Sequence, residues 1–136
     1  MKLFIQAATE QDILSQVEWY AQKGLPDIAL RFSRASVAAI EALMAMPQAG
    51  AAKASANPRL AGLRSWPVKG FEEFRVYYLA DPERLTVVRI LHGKQDTGAI
   101  LARQGVNDPG ALRRPRRTDW SPRRPRLPIP PAITTS

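Results

Sequence analysis

Cysteine is absent from this chain of 136 residues, and only one histidine, His92, is present. The first absence excludes disulfides, thiolate nucleophiles and cysteine-based zinc sites. The second excludes a histidine-rich metal centre, so neither a metal nor another cofactor is expected. Long apolar runs are missing too: no stretch approaches the ~20 residues that cross a bilayer, and the opening from Met1 to Ala7 is too short for the apolar part of a secretion signal. The expectation is a soluble, cytoplasmic protein without a membrane partner. Glycines are few, and Gly62, Gly70 and Gly93 do not form a phosphate-cradling pattern; each reads as a turn.

Acidic residues are the minority charge, 12 against 20 Lys and Arg, for a net charge of +8. The excess is unevenly placed. Residues 1–104 hold 13 basic and 10 acidic side chains, a net of +3, whereas residues 105–136 hold seven Arg against Asp108 and Asp119, a net of +5. The composition changes at Gln104-Gly105, after which seven prolines fall in 32 residues and no periodic apolar pattern remains. Proline fixes φ and removes backbone donors, so 105–136 is expected to be a disordered, passive extension in which Trp120 stands idle. With 45% hydrophobic residues, the chain can bury one modest core, placed in a single domain over residues 1–104.

Within that domain the apolar period changes partway along. Leu3 and Ile5 suggest a short strand within Lys2 to Ala7. Ile13, Val17, Tyr20 and Ala21 then recur at helical spacing, with Thr9 and Asp12 as start signals and Gly24 as the stop. A second helix begins at Pro26, carries Ile28, Phe32, Ala35, Ala39 and Leu43 on one stripe, and ends before Pro47. Residues 51–61 read as a loop broken by Asn57-Pro58. Leu63 to Val68, Phe74 to Leu79 and Leu85 to His92 are β-prone runs separated by turn residues. The expected class is α+β, in the order β-α-α-β-β-β, with a helical hairpin packed on a small antiparallel sheet.

If the last hairpin has the loop Ala80 to Glu83, Leu79 faces Arg84, and alternation then assigns faces. Phe74, Val76, Tyr78, Leu85, Val87 and Leu91 share the face under the helices, with Arg89 as the polar exception. Arg75, Tyr77, Leu79, Thr86, Val88, Ile90 and His92 share the other, a relation that a bulge would break. Arg, Tyr and His on one surface are suited to metal-free RNA cleavage: His moves a proton, Arg stabilises a phosphorane and Tyr orients the substrate. The same residues are also ordinary on a solvated sheet face, and the only candidates for a general base are Glu72 and Glu73. Arg64, Lys69 and Lys94, with Trp66, offer a basic and aromatic strip for binding, to which Tyr77 and Arg89 add; solvated hairpin charges beside a half-buried Trp66 are the simpler explanation of the strip.

Three stretches carry a family resemblance. Leu63-Arg64-Ser65-Trp66-Pro67-Val68-Lys69-Gly70-Phe71, Phe74-Arg75-Val76-Tyr77-Tyr78 and Val88-Arg89-Ile90-Leu91-His92-Gly93-Lys94-Gln95-Asp96 together resemble the signature of ParE-type toxins in the RelE/ParE superfamily. The order of elements over 1–104 is similar as well. The resemblance implies a toxin neutralised by an antitoxin from the same operon, whose C-terminal segment wraps over it. RelE-like members cut mRNA in the ribosome, and ParE-like members inhibit DNA gyrase. By position, Arg75 matches the strand arginine that ribonuclease members use on phosphate, and His92 lies near their C-terminal catalytic position. The concentrated Lys/Arg cluster of RelE-like enzymes is missing, and the ending Leu91-His92-Gly93 has the ParE-like form. Gln95 replaces the arginine usual before Asp96. The resemblance therefore implies a gyrase-binding toxin first, a ribosome-dependent endonuclease using Arg75 and His92 second, and a degenerate, antitoxin-binding member third.

Overall fold

The structure, a computed structural model, describes residues 1–106. The expected tail, Trp120 included, therefore lies almost wholly outside the described residues. Strand β1 (Lys2–Ile5) leads into α1 (Ala7–Gln22) and α2 (Pro26–Ala45). There follow a two-residue β2 (Ala51–Ala52), a 3-10 turn (Pro58–Leu60), β3 (Arg64–Val68), β4 (Phe71–Ala80), β5 (Arg84–His92) and α3 (Thr97–Ala102).

The hairpin of helices forms where the sequence places its punctuation. Gly24 takes φ 77°, a left-handed conformation open to glycine without strain, and its N–H closes the end of α1 onto the Ala21 carbonyl. Pro26 sits in the first turn of α2, where a missing N–H costs nothing. Thr9 and Asp12 are not caps. Helix α1 begins at Ala7, two and five residues before them, with Gln6 at its N-cap position making no side-chain capping bond. Both side chains turn inward instead: the Thr9 hydroxyl donates to the Val87 carbonyl at 3.2 Å, and Asp12 meets Arg89 of β5. Neither residue serves as a start signal, because both polar side chains hold α1 against the strand.

The sheet runs β1-β5-β4-β3-β2. It is antiparallel except at one edge, where β1 lies parallel to β5 with Leu3 beside Leu85. No hairpin joins these two strands, so no turn chemistry fixes their relative direction, and the antiparallel expectation fails there. Phe32, Ala39, Ile40 and Leu43 of α2 pack on Phe74, Val76, Tyr78, Leu85, Val87 and Ile90, while Ile13, Val17 and Tyr20 of α1 complete the core. A smaller second core of Leu60, Leu63, Tyr77, Val88, Leu91 and Leu101 covers the opposite face. Neither α3 nor this second layer was expected. The stretch read as a loop supplies part of it: Asn57 donates to the carbonyls of Leu101 and Gln104 at 3.0 and 2.8 Å, tying the end of α3 to the 3-10 turn.

The last hairpin departs from the expected register in two ways. Asp81 accepts from the N–H groups of Glu83 and Arg84, which tightens the loop, and Leu79 lies opposite Thr86 and Ala80 opposite Leu85, not Leu79 opposite Arg84 as expected. A bulge then opens: Tyr78 pairs with Val87 but Tyr77 with Arg89, so Val88 is the extra residue. An extra residue reverses the alternation beyond it. Ile90 and His92 consequently join the helix side, and Leu91 moves to the back. The shared face expected for Arg75, Tyr77 and His92 does not exist.

Candidate functional site

With the faces reassigned, Arg75 and His92 separate. Arg75 pairs with Leu91 across the ladder, on the back, and its Nε donates to Ser65 Oγ at 3.1 Å. His92 stacks edge-on against Phe74, ring centroids 4.8 Å apart, on the helix side. Its imidazole is held at both nitrogens. Nδ1 accepts from the Lys94 N–H at 2.9 Å, and Nε2 lies 2.9 Å from Glu73 Oε1. A ring that accepts at Nδ1 carries its proton at Nε2, so the pattern is that of the neutral tautomer donating to the carboxylate. Gln95, where arginine is usual, accepts from the His92 N–H through Oε1 at 2.7 Å, and Asp96 caps α3 by accepting from Ala99. Glutamine thus fixes the turn after β5 without an ion pair.

Of the other candidates, Arg64 donates through Nη1 to the carbonyls of Gln48 and Gly50, at 3.2 and 2.6 Å, and so anchors the strand to the end of the helical layer. Trp66 is half-buried against the front core. Tyr77 is buried in the back core. Lys69 and Lys94 are exposed.

Arg89 is engaged on both sides. Nε and Nη2 meet the two Asp12 oxygens at 2.8 and 2.7 Å, and Nη1 donates to Gln104 Oε1 at 3.1 Å. Asp12 also accepts from the Ile90 N–H at 2.9 Å. Burial raises the Asp12 carboxyl above its ordinary value, against the hydrogen bond and charge of Arg89 and the Ile90 N–H, which pull it down. Burial also opposes the Arg89 charge, but the Asp12 hydrogen bond and charge outweigh it and raise the guanidinium above its ordinary value. The trio spans the open part of the β5 edge beyond β1, which explains why a charged residue stands in an otherwise apolar strand.

A cleft of about 570 Å³ lies between α1, the β3–β4 turn and the segment after β5. Gln16, Trp19 and Tyr20 form one wall, Gly70 to Phe74 another, and His92, Lys94 and Gln95 the third. Gly70 takes φ 88°, and its N–H is accepted by Glu72, whose carboxyl is held below its ordinary value chiefly by that bond. Glu73 remains largely in solvent, its side chain 76% exposed against 17% for His92. Trp19 Nε1 is buried with no partner among the described residues, and Lys23 lies over the indole at 5.4 Å from its centroid. The aromatic wall was missed because Trp19 sits one position from Tyr20, off the stripe that marks α1; only its size hinted at it.

This is the architecture of a small helical hairpin on a single sheet, closed behind by a short helix. A solved chain of the "Chromosomal ParDE TA system from P. aeruginosa" has a similar fold, with a TM-score of 0.56 and 20% identity over 68% of this chain and 95% of that one. The family described as "ParE toxin of type II toxin-antitoxin system, parDE" matches residues 3–97. The chain belongs to the ParE toxin family. No curated protein sequence gave a match. Among the described residues, no helix is long and apolar enough to cross a membrane.

Proposed function

We propose that this chain is a growth-inhibiting toxin that acts by binding a protein, DNA gyrase, and is kept inactive by a cognate antitoxin. The observation that carries the reading is the separation of Arg75 from His92 on opposite faces of β4 and β5. Catalysis of RNA cleavage needs a proton-transfer group and a phosphorane-stabilising cation converging on one phosphate. Here His92 has both ring nitrogens engaged, and Arg75 is turned toward Ser65. Side chains that hold shape rather than perform chemistry suit a binding surface. Lys69 and Lys94, exposed, with the half-buried Trp66, are the groups offered to a partner, whereas Arg64, Tyr77 and Arg89 support the scaffold beneath.

The antitoxin reading rests on what the fold leaves uncovered. Strand β1 is an edge strand with Leu3 39% exposed, and α2 presents Leu30 and Val37, each 50% exposed, one heptad apart on its outer face. Strand addition and an apolar segment laid along the helices would cover both. The alternative, ribosome-dependent mRNA cleavage, draws on the His92–Glu73 pair at the mouth of the cleft. The test places purified protein with gyrase and a supercoiling substrate, and separately with translating ribosomes and mRNA. Lost supercoiling or trapped cleavage complexes beside intact message is the expected result. Codon-positioned cuts beside normal gyrase activity would transfer the function to the endonuclease.

A further inference from the structure

The cleft has three chemical features, although Glu72 already accepts from the Gly70 N–H and Glu73 from His92. Trp19, Tyr20 and Phe71, all half-buried, give it an aromatic surface. The Trp19 indole N–H is shielded from water yet has no acceptor, a state that a small turn of the ring onto a carbonyl would relieve. Glu72 and Glu73 place two exposed carboxylates on one lip.

One kind of ligand answers all three. A proline-rich segment bearing arginine has flat rings that lie on aromatic faces, carbonyls left free because an extended proline-rich backbone forms no internal hydrogen bonds, and guanidinium groups that pair with carboxylates. The sequence contains such a segment, Pro122-Arg123-Arg124-Pro125-Arg126-Leu127-Pro128. We propose that this segment of the same polypeptide occupies the cleft and covers it. Lys94 is the one Lys or Arg among the described residues lining the cleft, so it turns the arginines away from its own side and toward the Glu72–Glu73 lip.

The reach is sufficient. The described chain ends at Val106, packed against the back core, and 15 residues separate it from Pro122. At ~3.1 Å per residue that length spans roughly 45 Å, more than the ~34 Å across a compact domain with a radius of gyration of about 13 Å. A tether of this kind gives a local concentration near the millimolar range, enough to populate a weak contact without a second molecule. The proposal does not depend on which target the toxin binds.

The test uses the full chain and reads the indole N–H cross-peak of Trp19, with the backbone N–H peaks of Phe71 and Glu73, in proton–nitrogen spectra. Full chains carrying Arg123→Ser, Arg124→Ser and Arg126→Ser, or Pro122→Ala and Pro125→Ala, are compared with the unaltered one. All three peaks should move in both variants. About 0.5 M salt should carry the unaltered chain's peaks toward the arginine variant, because it screens the carboxylate contacts. The unaltered positions should not change on roughly tenfold dilution, as an intramolecular contact requires. Superimposable peaks in all three chains would overturn the proposal, and so would shifts that vanish on dilution, which would make a second copy the occupant.

Discussion

On the helix side of the sheet, Phe32, Leu43, Tyr78 and Val87 are fully buried between the strands and helices of 16 and 20 residues, whereas the other side is covered by the six-residue α3 and the turn at Pro58–Leu60. A helix of six residues has no stability of its own. It stays in place because Leu101 is fully buried, Asp96 caps it, Asn57 grips its last carbonyls, and Arg89 reaches Gln104 just beyond it. The front is secured mainly by apolar area and the back by a few directed polar bonds. One such bond also works at the front margin: the Tyr78 phenol donates to Pro47 and accepts from the Gly50 N–H, and a Cβ on Gly50 would collide with that ring.

The largest effect should come from cutting into the front. Phe32→Ala removes a ring that packs on Phe71 and Phe74, and should cost about 3–5 kcal/mol in denaturant unfolding. A cost below about 1 kcal/mol would mean that this core is not the main support. Close behind, Asp12→Ala leaves Arg89 partly buried without its carboxylate and should cost about 3 kcal/mol or more; adding Arg89→Leu should recover part of that loss. Additive losses would show that the pair is not coupled.

Smaller still, Asn57→Ala should cost about 1–3 kcal/mol, and hydrogen exchange should show α3 opening while the α2 amides keep their protection. Equal loss of protection on both sides would erase the distinction between front and back. The smallest effect concerns pH at the β4–β5 loop. The Glu83 and Arg84 N–H groups hold the Asp81 carboxyl below its ordinary value of 3.8. A lowered value means that the folded chain binds the proton less well, so this contribution is present above pH 3.8 and lost as pH falls through the lower folded value. Comparing the chain with Asp81→Asn isolates it: the stability difference between them should shrink on acidification below 3.8.

Most elements are legible in the sequence because the apolar period changes from helical to alternating after the Ala-rich stretch, and because Gly24, Pro26 and Gly70 punctuate the chain at the positions the backbone needs. The site is less legible, for a local reason. Alternation assigns faces correctly only while every residue is paired, and the single extra residue Val88 moves His92 to the opposite side from Arg75. Nothing in the run Val87-Val88-Arg89 marks which position bulges. Asp12 illustrates a second limit: an acidic residue near a helix start reads as a cap, and only the folded chain shows that its partner is Arg89, 77 residues away. The cover on the back was invisible because Asn57-Pro58 signals a break in the chain but not the two carbonyls that Asn57 will reach.

The most direct measure of the binding account is growth arrest by the full chain carrying His92→Gln, with cellular mRNA mapped alongside. Glutamine can still bond to Glu73 but cannot exchange a proton near neutral pH. The account predicts arrest close to that of the unaltered chain and the same intact messages in both cultures. Mapped cuts in the unaltered culture that disappear with the substitution, together with a loss of arrest of about 100-fold or more in the toxin level required, would contradict it, since that is the scale on which losing a general acid or base acts.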